Sequence, residues 1–265
     1  MSVRRRLVAV LATLAAAALV IPLLQGHATA APIPVNGYIA LGDSVPDAYG
    51  VADKDGYVAL LSDALGGLPT RNASVSGATT TSLIEEQLPR VLPSIAARNG
   101  NRTPVDDVGL ITITIGGNDV FAPVVGACAG GVDLTCLHAV QTVLAGVSVR
   151  YEHLLDEVRA AAGPNATIAV MTYYNALVGS CYLTREYPGI DVLAQLVLEG
   201  GLPGVTLSLN GVIRDAAAGV DAVVVETGGV VGPEELVGGQ DCLHPNEAGH
   251  AAIADAFAAV LAETG

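Results

Sequence analysis

The sequence predicts an α/β domain, in which a parallel β-sheet is covered by helices on both faces to give a three-layer α/β/α sandwich. The first observation is that short segments rich in β-branched residues alternate with longer segments of helical periodicity. The second is that these short segments are apolar throughout, which is typical of strands buried on both faces. Right-handed crossovers between successive strands then place helices on both sides of the sheet.

Five strands and five helices are predicted from these patterns. The strands lie at Tyr38–Leu41, Asn72–Val75, Val108–Ile115, Thr167–Thr172 and Ala222–Val225. The helices lie at Gly56–Leu65, Thr81–Ala97, Leu137–Ala162, Val192–Ala218 and Ala248–Ala262. The sequence has no internal repeat or interdomain linker, so residues 31–265 are predicted to form one domain. With 51% hydrophobic residues the chain can fill a large core, and this composition excludes a disordered protein.

The first 30 residues have the pattern of a signal peptide. Met1–Arg6 is basic, and Leu7–Leu24 is apolar apart from one threonine. His27–Ala31 then provides an A-x-A cleavage signal, most simply after Ala30. We therefore expect a signal peptide at residues 1–30 and a secreted, extracellular protein. An uncleaved membrane anchor is the alternative, because the apolar segment has the minimum length of a spanning helix.

The composition is acidic. The formal net charge is −14, and three of the 12 basic residues lie within the predicted signal peptide. Because an acidic surface repels phosphate groups, nucleic acids and anionic membrane surfaces are poor candidates for partners. After the predicted signal peptide, no continuous apolar segment is long enough to span a bilayer. We expect a monomer with no nucleic-acid partner and no stable membrane insertion after cleavage.

All four cysteines follow the predicted signal peptide, which favours disulfide bonds because exported proteins fold in an oxidising compartment. Cys128 and Cys136 flank a short loop that closes easily. We therefore expect the pairs Cys128–Cys136 and Cys181–Cys242, although two other pairings are possible. A zinc site would need a C-x-x-C motif or clustered histidines, and the sequence contains neither, so no metal is expected.

Unusual polar residues follow three predicted strands and precede the last helix. The segments are Gly42-Asp43-Ser44, Ser76-Gly77, Gly116-Gly117-Asn118-Asp119 and Asp241-Cys242-Leu243-His244-Pro245. In a parallel α/β sheet, ligands bind at the carboxyl ends of the strands. We therefore expect these four segments to meet in one site.

Ser44, His244 and Asp241 have the chemistry of a catalytic triad. A serine hydroxyl is a weak nucleophile unless a base accepts its proton, which a histidine can do near neutral pH. An aspartate three residues before that histidine can orient its ring. The alternatives are that Ser44 caps a helix and that the other two residues are ordinary loop and capping residues. His250 is a competing base, but its position inside the predicted last helix favours a packing or surface role.

Gly77 and Asn118 are candidate donors to an oxyanion. Acyl transfer requires hydrogen-bond donors aimed at the oxygen on which negative charge develops. Gly77 can offer its backbone N–H at a position where a side chain would obstruct approach, and Asn118 can offer its side-chain amide. The alternative is that both are turn residues, since glycine and asparagine are common in turns.

The four segments resemble the sequence blocks of the SGNH, or GDSL, hydrolase superfamily, in particular those of secreted actinobacterial GDSL esterases and lipases. They occur in the family's order and span almost the whole mature chain. The resemblance implies a flavodoxin-like, five-stranded parallel sheet of strand order 2-1-3-4-5. It also implies the triad Ser44, His244 and Asp241. The implied oxyanion-hole donors are the N–H groups of Ser44 and Gly77 and the amide of Asn118.

The sequence departs from the family's pattern at Val45, where the family name expects leucine. We interpret this position as a packing site behind the nucleophile. The departure therefore does not change the chemistry that the resemblance implies.

The segment Tyr173–Gly204, the longest irregular-looking insertion, contains tyrosines and aliphatic residues that could line an acyl pocket. The alternative is a surface loop held by Cys181. Because no basic amphipathic helix is present to dock on lipid, short or medium acyl esters are favoured over anionic phospholipids.

These inferences together predict a secreted serine esterase or lipase that forms an acyl-enzyme on Ser44. Its substrate would be a small-molecule or lipid ester, and it would need no metal and no organic cofactor. The alternatives are a secreted acyltransferase of the same fold and a carbohydrate- or lipid-binding module that does not catalyse turnover.

Overall fold

Five parallel strands form the central sheet in the order β2-β1-β3-β4-β5, which confirms the predicted fold class and the strand order implied by the resemblance. The computed structural model describes residues 37–178 and 182–264. The strands are β1 (Tyr38–Gly42), β2 (Thr70–Asn72), β3 (Leu110–Thr114), β4 (Thr167–Met171) and β5 (Val223–Val225). β1 and β3 are buried along their whole length, as continuous apolar character predicts.

β2 lies slightly earlier in the chain than the predicted strand Asn72–Val75. It covers Thr70–Asn72, is exposed, and forms an edge of the sheet. The residues after it still bond to β1, because the N–H groups of Ala73 and Val75 donate to the carbonyls of Ala40 and Gly42. The predicted segment therefore lies beside β1 but leaves regular strand geometry.

Helices cover both faces of the sheet. They are α1 (Tyr57–Ala64), α2 (Thr80–Ser82), α3 (Leu88–Asn99), α4 (Gly117–Cys128), α5 (Leu134–Ala162), α6 (Tyr182–Glu186), α7 (Ile190–Glu199), α8 (Leu209–Gly219) and α9 (Glu247–Glu263). A π-helical turn, Leu83–Gln87, joins α2 to α3. Two buried clusters of apolar side chains separate the layers: one lies between the sheet and the helices α3, α5 and α8, and the other lies under α1 and α9.

One helix prediction is wrong, and one long helix is not predicted. The predicted helix Val192–Ala218 is two helices, α7 and α8, because the segment between them contains Gly200 and Gly201, both with positive φ, and Pro203. α4 lies in a segment for which no helix is predicted. This helix begins with glycine and contains Pro123, and both residues lower helix propensity.

The segment Asp241–Pro245 forms a strand, β7, at a position for which no strand is predicted. It pairs antiparallel with β6 (Leu236–Gly238) in a two-stranded sheet that is separate from the central one. The side chain of Asn246 then caps α9 by accepting the N–H of Gly249, and its amide donates to the carbonyls of Glu234 and Leu236. This cap ties the start of α9 to the small sheet.

A disulfide bond joins Cys128 at the end of α4 to Cys136 in α5, with their Cα atoms 4.7 Å apart. Cys181 lies outside the described residues, so the pair Cys181–Cys242 stays a prediction, as does the signal peptide at residues 1–30. Within residues 37–178 and 182–264, no helix is both long and apolar enough to cross a bilayer.

Candidate active site

Ser44 lies in a turn that directly follows β1. The last residue of β1, Gly42, has a φ of +141°, and a Cβ atom there would be 2.0 Å from the carbonyl oxygen of Thr114. Only glycine fits at this position. The buried side chain of Gln87 bonds to both backbone groups of Gly42, accepting from its N–H at 2.9 Å and donating to its carbonyl at 2.7 Å. The end of β1, before Ser44, is therefore fixed by its close packing against Thr114 and by its two hydrogen bonds to Gln87.

Ser44, His244 and Asp241 form a continuous chain of hydrogen bonds. His244 Nε2 is 2.9 Å from Ser44 Oγ, and His244 Nδ1 is 2.8 Å and 2.9 Å from the two carboxylate oxygens of Asp241. With the carboxylate at Nδ1, the proton of the neutral ring lies on Nδ1, so Nε2 can accept the serine proton. Ser44 does not cap a helix, since α1 begins only at Tyr57. The geometry is suited to generating a serine nucleophile.

His250 lies away from this chain of hydrogen bonds. It is buried in α9, where its Nδ1 accepts the backbone N–H of Tyr57 at 3.3 Å. Burial, and to a smaller extent the nearby His244, lowers the pKa of His250 to about 4. His250 therefore remains neutral near pH 7 and packs against α1.

Asp43, the residue before Ser44, is buried and bonds away from the histidine. Its carboxylate accepts the N–H of Val45 at 3.0 Å and the hydroxyl of Tyr173. Burial raises the pKa of Asp43 to about 7, although these two hydrogen bonds oppose the shift. The Asp43 side chain thus anchors the turn that presents Ser44.

The candidate oxyanion donors lie on segments that are bonded to one another. The carboxylate of Asp47, in the Ser44 turn, accepts the N–H and the hydroxyl of Ser76, the residue before Gly77. Asn118 donates one amide hydrogen to the carbonyl of Ala78 at 2.9 Å and has a second hydrogen to donate. Glycine at position 77 is explained by its φ of +82°, which L side chains rarely adopt. A lack of space does not explain it, because a Cβ there would meet no described protein atom within 4 Å.

Two backbone N–H groups in the site are free to donate a hydrogen bond. Among the described residues, the N–H groups of Ser44 and Gly77 have no hydrogen-bond partner. Unpaired N–H groups next to a nucleophile can bind an oxygen that acquires negative charge.

Asp119 fixes the start of α4 and does not face the histidine. Its carboxylate accepts the N–H and the hydroxyl of Thr80, at 2.8 Å and 2.6 Å, and pairs with Arg150 at 3.0 Å. These bonds hold α4, and with it Asn118, against α2 and α5. In the described part of the chain, no group of three His, Cys, Asp or Glu side chains could hold a metal ion.

An apolar cleft opens beside Ser44 and His244. It encloses about 860 Å³, its open mouth included, and both residues line it together with Asn118. Its other walls are aliphatic and aromatic side chains of α4, α7 and the start of α8, which include Val120, Phe121, Val124, Leu193, Val197 and Leu209. The cleft can accept a hydrocarbon chain whose polar end lies at Ser44.

The segment Tyr173–Gly204, predicted to line an acyl pocket, lines the cleft with part of its residues. Tyr173, Tyr174 and Leu177 line the cleft, and so do several residues of α7. The segment is not irregular as predicted, because it contains α6 and α7.

The sequence pattern does not predict several positioning contacts, among them those of Gln87, Thr80, Arg150 and the Tyr173 hydroxyl. Gln87 had a sequence signal, because it lies four residues from both Leu83 and Val91 on the buried face of its helical segment. A polar residue on an apolar helix face needs a partner in the core.

The comparisons with known proteins agree with this fold. A model of the GDSL-like lipase/acylhydrolase family matches residues 40–252. The structure is similar to an extracellular lipase from Streptomyces rimosus, with 21% identity, a TM-score of 0.61, and coverage of 85% of this chain and 100% of that chain. It is also similar to phospholipase A1 from Streptomyces albidoflavus, with 24% identity, a TM-score of 0.60, and coverage of 87% and 100%.

A third similar structure is the esterase EstA from Pseudoalteromonas sp., with 19% identity, a TM-score of 0.50, and coverage of 86% of this chain and 98% of that chain. A search of curated protein sequences found no match. At these identities the structural similarities show a shared fold.

Proposed function

The chain belongs to the GDSL-like lipase/acylhydrolase family, and we propose that it is a secreted serine hydrolase that cleaves carboxylic esters through an acyl-enzyme on Ser44. One observation supports this most strongly: Ser44 Oγ lies 2.9 Å from His244 Nε2, and the other ring nitrogen lies 2.8 Å from Asp241. This is the distance at which a proton can pass from serine to histidine as the serine attacks.

In the first half of the reaction, Ser44 Oγ attacks the ester carbonyl carbon while its proton moves to His244 Nε2. Asp241 stabilises the imidazolium that results. When the tetrahedral intermediate collapses, the bond to the alcohol oxygen breaks, and His244 returns the proton to that oxygen. The alcohol leaves and the acyl group remains on Ser44. Water then attacks the acyl carbon while giving a proton to His244. When this second intermediate collapses, the bond to Ser44 Oγ breaks, and His244 returns the proton to that oxygen, which releases the acid and restores the serine hydroxyl.

The oxyanion of both intermediates would be stabilised by the N–H groups of Ser44 and Gly77 and by the free amide hydrogen of Asn118. The contacts between Asp47 and Ser76, and between Asn118 and Ala78, support this assignment because they tie the three donors together. Donors that are fixed before reaction need no reorganisation as charge develops.

The substrate would be an ester with an apolar acyl chain longer than acetyl. The cleft beside Ser44 has apolar walls on α4 and α7, and hydrocarbon gains binding energy there in proportion to its buried area. On p-nitrophenyl esters we expect kcat/KM to rise from acetyl to octanoyl. A preference for acetyl would contradict an acyl role for the cleft.

Export through a signal peptide at residues 1–30 is part of the proposal. The disulfide Cys128–Cys136 supports it, because such bonds persist in oxidising compartments. N-terminal sequencing of the protein recovered from culture medium should find Ala31 as the first residue.

The experiment that tests the catalytic assignment compares wild type with Ser44→Ala on a short-chain p-nitrophenyl ester. The alanine variant should fold, with stability changed by about 1 kcal/mol at most, and should lose activity by at least about 10⁴-fold. A serine-directed phosphonate should label wild type at Ser44. Ser94→Ala, which removes an exposed helical serine, is the control and should stay active. Turnover by Ser44→Ala, or labelling at another serine, would overturn the assignment.

A further inference from the structure

Two consecutive tyrosines, Tyr173 and Tyr174, follow β4 and reach the two halves of the site separately. The hydroxyl of Tyr173 donates to Asp43, the residue before Ser44. The hydroxyl of Tyr174 donates to the carbonyl of Leu243, the residue before His244, at 3.0 Å. Each tyrosine therefore bonds to the immediate neighbour of one of the two residues that exchange the proton.

The backbone from which this tyrosine pair extends is itself fixed. The side chain of Asn210 bonds to both backbone groups of Tyr173, accepting its N–H and donating to its carbonyl, each at 2.8 Å. The ring of Tyr173 packs on Gly117, where a Cβ would be 2.8 Å away. Both tyrosines are buried and line the cleft. A movement of this segment would displace both hydroxyls together.

The connection matters because Ser44 and His244 are positioned by different sheets. Ser44 follows a strand of the central sheet, whereas His244 lies on β7 of the small two-stranded sheet. Apart from the Ser44–His244 bond, the two regions touch where the ring of Tyr49 lies 4.5 Å from that of His244 and where Gly50 lies close to Val237. The tyrosine pair adds a buried polar connection to both regions from a third element.

We propose that Tyr173 and Tyr174 are positioning residues that together set the distance between Ser44 Oγ and His244 Nε2. The inference rests on the proposed function, since that distance affects turnover only if these atoms exchange a proton. Burial raises the pKa of both tyrosine hydroxyls well above the usual value, so both remain protonated donors at the pH of an esterase assay.

The test uses the full chain with Tyr173→Phe and Tyr174→Phe, which remove one hydroxyl each and keep the ring in the cleft. Each variant should lower kcat by about 10- to 100-fold, because small misplacement of reacting groups has effects of that size. KM should change by less than about twofold, since the apolar walls remain. Tyr38→Phe is the matched control: its buried hydroxyl bonds to Thr112 within the sheet at 2.9 Å, and its loss should leave kcat unchanged.

A spectroscopic readout separates the two tyrosines. The proton on His244 Nδ1, bonded to Asp241, should give a low-field ¹H NMR resonance. That resonance should shift in Tyr174→Phe, which releases the strand at Leu243. It should stay in place in Tyr173→Phe, which should instead slow phosphonate labelling of Ser44.

The outcomes distinguish this inference from the proposed function. If Ser44→Ala is inactive but both phenylalanine variants match Tyr38→Phe in kcat, the positioning role is wrong and the proposed function stands. If Ser44→Ala still hydrolyses esters, the proposed function is wrong. In that case an unchanged His244 resonance in Tyr174→Phe would overturn the positioning role as well.

Discussion

The two sides of the candidate site are built differently. Ser44 follows a fully buried central strand, and the glycine that ends this strand lies close against Thr114 and is hydrogen-bonded to Gln87. His244 and Asp241 lie on a short two-stranded sheet, with side chains 20% and 27% exposed. The core of the domain thus fixes the position of Ser44, whereas hydrogen bonds near the surface and the bond from Tyr174 fix His244 and Asp241. We expect substitutions on the Ser44 side to affect stability, and those on the His244 side to affect catalysis with little loss of stability.

The largest expected effect is on the His244 side. Asp241→Asn should lower kcat by about 10⁴-fold, because an amide no longer enforces the tautomer with the proton on Nδ1. Thermal unfolding should show a stability change below about 1 kcal/mol, since the residue is partly exposed and lies outside the main core. Asp215→Asn, an exposed change on α8, is the charge-matched control and should leave kcat unchanged. A large drop in melting temperature for Asp241→Asn would contradict the expectation that the His244 side contributes little to stability.

The next effect concerns the pH dependence of stability on the Ser44 side. Burial raises the pKa of Asp43 from 3.8 to about 7. Between those values the folded protein keeps the proton that the unfolded chain releases, so the free energy of unfolding contributed by this group falls as pH rises. At about 1.4 kcal/mol per pKa unit, the loss is about 4 kcal/mol in total.

Asp43→Asn removes that titration and keeps a side chain that can bond to Val45 and Tyr173. The variant should therefore gain stability relative to wild type as pH rises from about 4 to about 7. Urea unfolding of both proteins across this range measures the difference. A difference that does not vary with pH would show that Asp43 is not buried in the sense proposed for the Ser44 side.

The smallest expected effect is that of Gln87→Leu, which leaves the N–H and carbonyl of Gly42 without their side-chain partner. The carbonyl of Gly42 still accepts the N–H of Val75, so the group left without a partner is the N–H of Gly42. A buried polar group without a partner costs about 1–3 kcal/mol, and the free energy of unfolding should fall by about that amount. Gln141→Leu is the matched control, because Gln141 accepts the N–H of Thr206 near the surface. Equal losses in the two variants would show that Gly42 does not depend on Gln87.

The same contrast explains how much the sequence could predict. The strands of the central sheet are apolar and β-branched, and the segments around Ser44, Gly77 and Asn118 are recognisable because polar residues follow such strands. β7 escaped because Asp241–Pro245 is short, polar and ends in proline, which is typical of a loop. Its strand geometry depends on pairing with β6, which a local pattern does not specify.

The sequence predicts that the four polar segments meet, but it does not predict which side chains from other segments bond to them. The hydroxyls of Tyr173 and Tyr174 bond to Asp43 and Leu243 because the fold brings together residues that are about 130 and about 70 positions apart, respectively. The sequence shows that two tyrosines follow β4, and this fits a pocket wall as well as a pair of hydrogen-bond donors. Only the folded arrangement distinguishes these roles.

The close approach of Gly42 to Thr114 has a consequence for the evolution of this fold. The first glycine of the Gly-Asp-Ser motif is required by the neighbouring strand and takes no part in the proposed chemistry. A descendant that lost Ser44, and with it turnover, would still need glycine at position 42 in order to fold. In such a lineage the glycine would mark common ancestry, and the serine two residues later would mark retained activity.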